Sequence, residues 1–160
     1  MSGLVVGADG LPRCAWAAEP ELYRDYHDHE WGRPVMGEAA HLERLTLEAF
    51  QSGLSWLTIL RKRPGFRAAF ANFDPDTIAT YDAVDVERLM ADPEIVRNRR
   101  KIEATLTNAR ATVQLRAEGG LAAFIEGFRP DQRMAPSSLD SVPGSSAESL
   151  ALSKALKKKG

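Results

Sequence analysis

Apolar residues in this chain recur three and four positions apart and no stretch alternates convincingly, which predicts helix after helix and an all-α fold. The first helix is expected from Pro20, a residue suited to the first helical position, to Trp31, with Gly32 and Pro34 just beyond. Tyr23, Tyr26, His27, Glu30 and Trp31 share one face of it, aromatic and polar at once, which makes a poor ordinary core. A second helix covers roughly residues 38–52 and turns Leu42, Leu45, Ala49 and Phe50 inward. Ser55 caps a third at residues 56–63, which Pro64-Gly65 ends or bends. Phe66, Phe70 and Phe73 carry an apolar stripe to the turn at Asp74-Pro75.

Asp74 before Pro75 and Asp92 before Pro93 each read as a cap followed by a first-position proline. Short helices are expected at about 75–80 and 83–91, and a longer one at about 99–118 with Ile102, Leu106, Ala109 and Val113 buried. Gly119-Gly120 closes that helix, and another short one follows at about 121–127. Residues 129–144 are rich in Pro and Ser and read as a surface loop. The last helix opens on Ser145-Ser146-Ala147-Glu148, which fits a capping box with Ser145 at the cap. It turns Ala151, Leu152, Ala155 and Leu156 inward and ends on Lys157, Lys158 and Lys159, which complement its dipole. Scattered Gly3, Gly7, Gly10 and Pro12 make residues 1–12 a flexible arm, leaving residues 13–160 as one helical domain.

Composition narrows the class. The 160 residues suit one domain whose core needs no disulfide, and 44% hydrophobic with 27% charged residues excludes disordered and membrane classes. No run reaches a transmembrane length and Leu4-Val5-Val6 is too short for a signal peptide, so no membrane partner is expected. A single cysteine agrees with a reducing cytoplasm, and a monomer is the default state. The net charge of −1 supplies no global attraction to nucleic acid. Basic runs at Arg61-Lys62-Arg63 with Arg67, at Arg97 with Arg99-Arg100-Lys101, and at Lys154 with Lys157-Lys158-Lys159 are either solvated faces or phosphate contacts.

Three constellations carry candidate chemistry. The stretch Leu47-Glu48-Ala49-Phe50-Gln51-Ser52-Gly53-Leu54-Ser55-Trp56 sets a carboxylate among apolar and small residues. Alone it reads as an amphipathic helix with its glutamate on the solvated face, followed by a capped successor. Beside Trp16, Tyr26, Trp31 and Trp56 it also reads as the edge of an aromatic cage. Such a cage suits a flat, cationic ring held by stacking and cation–π attraction, with Glu48 accepting hydrogen bonds at the ring edge. An alkylated purine is such a ring, and its N-glycosidic bond is already weak, so binding and a positioned water could suffice. Cys14 and His27 form the second constellation, half of the four ligands that zinc takes, while His29 points elsewhere; a buried thiol and a surface histidine is the other reading. Third, a lysine-ended helix followed by Gly160 either complements the dipole or begins a helix-hairpin-helix that grips phosphates.

Taken together, Arg13-Cys14-Ala15-Trp16, Tyr26-His27-Asp28-His29-Glu30-Trp31-Gly32, residues 47–56 and Leu152-Ser153-Lys154-Ala155-Leu156-Lys157-Lys158-Lys159-Gly160 resemble the markers of the DNA-3-methyladenine glycosylase I family. Residues 92–109 are similar as well, and the resemblance runs in unbroken order from about residue 12 to residue 160. It implies a helix-hairpin-helix glycosylase fold and hydrolysis of the N-glycosidic bond of 3-methyladenine flipped out of alkylated double-stranded DNA. It further implies Glu48 in the acidic role at the base edge, with Tyr26 and Trp56 on the base and Trp16 and Trp31 in support. Gly53 and Leu54 would meet DNA, and Cys14 and His27 would be two ligands of a structural zinc. No His follows His41 and no Cys follows Cys14, so the expectation is a chain that stops within the hairpin, lacks two zinc ligands and has weak or no activity. The rival reading is a non-catalytic or inactive helical module that binds alkylated bases or DNA.

Overall fold

A computed structural model of the chain describes residues 3–131 and 142–159. A short antiparallel hairpin, β1 (Leu4–Val6) with β2 (Pro12–Cys14), precedes α1 (Glu21–His29), α2 (Glu38–Gln51), α3 (Trp56–Ala69), α4 (Pro75–Ala79), α5 (Ala83–Ala91), α6 (Arg99–Leu115), α7 (Gly120–Glu126) and α8 (Ala147–Leu156). The fold is mainly α, as the periodicity predicts. None of the described helices is long and apolar enough to cross a membrane.

The core lies between α2, α3, α4, α5 and α6. Phe50, Phe66, Phe70 and Phe73 are fully buried there, with Phe50 and Phe66 ring centroids 4.8 Å apart and Phe70 and Phe73 stacked at 5.8 Å. From α6 come Ile102, Leu106, Ala109 and Leu115. Thr105 and Thr112 are also buried on α6, because each hydroxyl donates back to a carbonyl four residues earlier, at 2.9 and 2.8 Å. Val113, expected inside, is only half-buried.

The inward face of α2 is rotated from the expected one. Leu42, Thr46, Leu47 and Phe50 are buried along with Glu43, whereas Leu45 is half-buried and Ala49 exposed. The cause is charge pairing. Glu43 is only 8% exposed, and Arg63 and Arg67 of α3 donate to its Oε1 at 2.7 and 2.8 Å. Arg63 also donates to both oxygens of Glu30, at 2.6 and 2.8 Å, which draws the end of α1 onto the same pair of helices.

Other differences have local causes. Helix α3 runs through Pro64 to Ala69, because the stripe Ile59, Leu60, Phe66 and Ala69 stays buried across the proline. Gly65 lets that segment pass tightly against the backbone of Glu94; an added Cβ would lie 2.6 Å from the Glu94 carbonyl oxygen. Helix α1 starts one residue late, with Pro20 extended at the capping position, and ends two early. Glu30 and Trp31 remain attached, since both their amides donate to the Tyr26 carbonyl at 2.9 Å. Asp74 caps α4 as expected, but Asp92 only terminates α5, and its Oδ1 accepts from the Glu94 amide in a turn. α6 gives way to a tighter turn at Arg116–Glu118 before Gly119, at φ 102°, closes it. The capping box of α8 is formed by Ser146 with Ser149, one residue on from the expected pair. The expected flexible arm is instead the hairpin, turned by Gly7–Leu11 and Gly10–Gly7 backbone bonds and tied by Arg13 to Asp9 at 2.6 Å. Most of the expected 129–144 loop lies outside the described residues.

Gly65→Ala should destabilise the fold by about 2 kcal/mol in chemical denaturation, since backbone must yield to admit the new Cβ. Burial pushes the Glu43 carboxyl up, but bonds from Arg63 and Arg67 outweigh it and hold it below the ordinary value of 4.5. Its contribution is therefore complete above 4.5 and is lost as pH falls through the lower folded value. Melting temperature measured against pH should fall on this acid side, and Glu43→Gln should start lower and show a shallower acid limb.

Candidate active site

Four pieces of chain meet around a cavity of about 380 Å³: the tight turn Ala15–Ala17, α1 with its trailing Trp31, the end of α2, and the start of α3. Trp16, Tyr23, Tyr26, Trp31 and Trp56 form its walls, with Glu48 and Gln51 at its polar side. The volume is that of a small-ligand site. The rings pack edge to face, as their quadrupoles prefer: Trp16 meets Trp31 at 5.4 Å and 77°, and Tyr23 at 5.8 Å and 88°. Tyr26 and Trp56 lie 5.5 Å apart across the cavity wall. The Trp56 indole N–H is buried with no acceptor among the described residues.

Glu48 is exposed to this space, and no described residue hydrogen-bonds to its carboxylate. Its acceptor lone pairs are open to whatever enters. All five residues expected at the base, Glu48, Tyr26, Trp56, Trp16 and Trp31, thus share one cavity.

The α2–α3 turn forms the rim between Gln51 and Trp56. Gly53 sits at φ 82°, and an added Cβ there would meet nothing within 4 Å, so backbone conformation and not space demands glycine. The neighbouring Leu54 is 38% exposed. Leu54 N–H donates to the Gln51 carbonyl at 2.7 Å, while the Gln51 side-chain amide donates to the Leu54 carbonyl at 2.9 Å. From α6, the Lys101 ammonium donates to the Phe50 and Ser52 carbonyls at 3.0 and 2.8 Å, satisfying orphan groups at the end of α2.

Of the basic runs, Arg63 and Arg67 pair with Glu43, Arg99 with Glu87, and Lys159 with Glu118. Lys62 donates to the Pro93 carbonyl. These are structural ties, so the candidates left for phosphate contact are Arg61, Arg97, Arg100, Lys154, Lys157 and Lys158.

Cys14 and His27 also come together, on the outer side of Trp16 and Trp31. The Cys14 amide lies 3.4 Å from His27 Nε2, and the imidazole stacks on Trp31 at 5.5 Å. His27 Nδ1 faces Asp28 Oδ1 at 2.9 Å, which leaves Nε2 as the lone-pair nitrogen. Hydrogen bonds from Arg13, then from His27, hold the Asp28 carboxyl far below the usual range. The imidazole is oriented as a zinc ligand's would be, with a carboxylate behind it. Yet two donors are half of a tetrahedral set, and among the described residues no three His, Cys, Asp or Glu converge as a metal site. The pair does not fit zinc in number, and the Nε2 lone pair already accepts from the Cys14 amide.

Tyr23, Gln51 and Arg44 escaped the sequence reading as site residues. Tyr23 lay in plain view, three positions before Tyr26, and its hydroxyl accepts from the Leu57 amide at 2.9 Å, capping a free donor of α3. Gln51 is one helical turn past Glu48. Arg44, one turn before Glu48, donates to the Tyr26 hydroxyl at 2.7 Å.

A mainly helical fold around an aromatic cavity edged by an open carboxylate defines a protein built to hold a flat ring. The sequence pattern of the methyladenine glycosylase family matches residues 16–160. DNA-3-methyladenine glycosylase 1 of Escherichia coli (strain K12) is 42% identical over 153 residues, covering 94% of this chain and 82% of that protein. DNA-3-methyladenine glycosylase of Haemophilus influenzae is 42% identical over 152 residues, covering 92% and 82%. A crystal structure of 3-methyladenine DNA glycosylase I superposes with a TM-score of 0.86 at 44% identity, covering 92% of this chain and 83% of the other. The Staphylococcus aureus enzyme, solved to explain its recognition of 3-methyladenine, gives 0.86 at 34% identity, covering 92% and 80%. The chain belongs to the methyladenine glycosylase family.

Tyr23→Phe keeps the ring in the wall but removes the acceptor for the Leu57 amide. It should cost about 1 kcal/mol of stability in urea denaturation.

Proposed function

We infer that this chain is a monofunctional DNA glycosylase that hydrolyses the N-glycosidic bond of 3-methyladenine flipped out of alkylated double-stranded DNA, the first step of base excision repair. The observation that carries this reading is the open Glu48 carboxylate at the edge of an aromatic cavity of about 380 Å³. A 3-methyladenine still joined to its sugar is cationic. Its flat face stacks on Tyr26 and Trp56, with Trp16 and Trp31 closing the remaining walls, and cation–π attraction adds about 0.5–2 kcal/mol over the neutral base. Glu48 balances the charge and accepts from the N–H groups of the base edge.

The reaction asks little acid catalysis of the protein. Water forms a bond to C1′ as the C1′–N bond breaks, the electron pair leaves with the base, and the base departs neutral. The water oxygen gives up one proton to solvent or a nearby acceptor. Among the described residues no lysine lines the cavity, which supports a reaction without a Schiff base that leaves the abasic strand intact. Normal adenine is neutral, gains less from Glu48 and has a stronger bond, so it is excluded twice.

Delivery of the base rests on the rim and the basic faces. Leu54, exposed beside the turn at Gly53, would fill the gap that the flipped base leaves. Arg61, Arg97 and Arg100, with the lysines of α8, would grip phosphates without reading sequence. In this reading α8 is the first arm of a helix-hairpin-helix, the protein acts as a monomer, and Cys14 with His27 contribute half of a structural zinc site.

The test is release of free 3-methyladenine from methylated duplex DNA, compared with binding of the free base. Glu48→Gln should cut release at least a hundredfold with little change in melting temperature. A parent chain that binds the base yet releases no more than Glu48→Gln is a binding module and not an enzyme.

A further inference from the structure

Behind Tyr26 lies a charged chain that the cavity itself does not expose. Arg44 Nη1 donates to the Tyr26 hydroxyl at 2.7 Å, and its guanidinium carbon sits 5.4 Å from the Tyr26 ring centroid. Arg44 Nη2 reaches Glu30 at 3.4 Å, Glu30 is gripped by Arg63 at 2.6 Å, and Arg63 is fixed on Glu43 at 2.7 Å. Tyr26 is 7% exposed, so its hydroxyl has few partners to choose from. Arg44 and Glu48 lie one turn apart on α2, one behind Tyr26 and the other beside the cavity.

We propose that Arg44 is a positioning residue and specificity determinant for the bound base: it occupies the acceptor side of the Tyr26 hydroxyl and thereby commits the single O–H proton to donation into the cavity. A phenol oxygen that accepts a charge-assisted bond is polarised, becoming a poorer second acceptor and a better donor. Tyr26 then calls for a ring-nitrogen acceptor on the purine edge, while Glu48 calls for N–H donors. The two together read donor and acceptor positions, which stacking alone cannot do. Glu30 offsets the Arg44 charge, so a cationic base is not repelled.

This inference rests on the glycosylase reading, and the measurements separate the two. The Arg44→Met variant is compared with the parent, with Tyr26→Phe and with the double variant. It should weaken binding of free 3-methyladenine, followed by tryptophan fluorescence, and slow base release, each about tenfold. In the Tyr26→Phe background the Arg44→Met substitution should change neither quantity further, and Arg44→Lys should recover part of the loss. A full additional loss without the tyrosine hydroxyl, or no recovery in Arg44→Lys, overturns the proposal, because Arg44 would then act through the fold alone. If the parent releases no base but binds it and the Arg44 effects on binding persist, the enzyme reading fails and the positioning role stands. A parent that does not bind free 3-methyladenine overturns both.

Discussion

The arrangement of this molecule depends on a carboxylate that cannot be left alone. Glu43 points into the space between α2 and α3, where an unpaired charge would cost several kcal/mol. Arg63 and Arg67 answer it, and Arg63 has donors to spare for Glu30 at the end of α1. Three segments far apart in sequence are thereby locked in one register. Apolar packing between two helices tolerates sliding, whereas a bidentate arginine bridging two carboxylates does not. The wall carrying Tyr26 and Trp31 is held at a fixed distance from the wall carrying Glu48 and Trp56 by this bridge.

The cavity made this way has few polar devices. Aromatic rings supply area with little entropy to lose, and edge-to-face packing among Trp16, Tyr23 and Trp31 holds them without hydrogen bonds. The polar groups it does offer are one open carboxylate and one hydroxyl whose other side is taken by Arg44. Such economy suits a substrate whose own positive charge has already weakened the bond to be broken. It also fits the separation of roles among nearby carboxylates: Glu30, Glu43 and Asp28 are paired behind the walls, whereas Glu48 is the carboxylate that lines the cavity among the described residues.

Much of this was legible in the residues. The three-and-four periodicity gave the helices, and residues 16, 26, 31, 48 and 56 do surround one cavity. The failures came where a distant partner decided a local outcome. The face of α2 turned because Glu43 meets Arg63 and Arg67, twenty and more positions away. Pro64 did not stop α3, because burial on both sides of it outweighed a lost backbone bond. The strands were missed because a hairpin of three-residue strands has almost no periodicity to read, and its tie from Arg13 to Asp9 and Asp28 is partly long-range. Arg44 was invisible as a site residue because nothing in a sequence says that its fork ends on a tyrosine eighteen positions earlier.

The contact of Lys101 with the end of α2 has a consequence beyond capping. One ammonium holds two carbonyls, of Phe50 and Ser52, so the rim at Gly53 and Leu54 is anchored to α6, the longest helix. A loose loop pressed into a double helix would fold back, and the work of prying bases apart would be dissipated in the loop. A rim braced against α6 would instead transmit that force to the whole body, as a chisel needs a handle. If the turn wedges DNA as proposed above, its stiffness would come less from Leu54 than from Lys101, a lysine about fifty residues downstream.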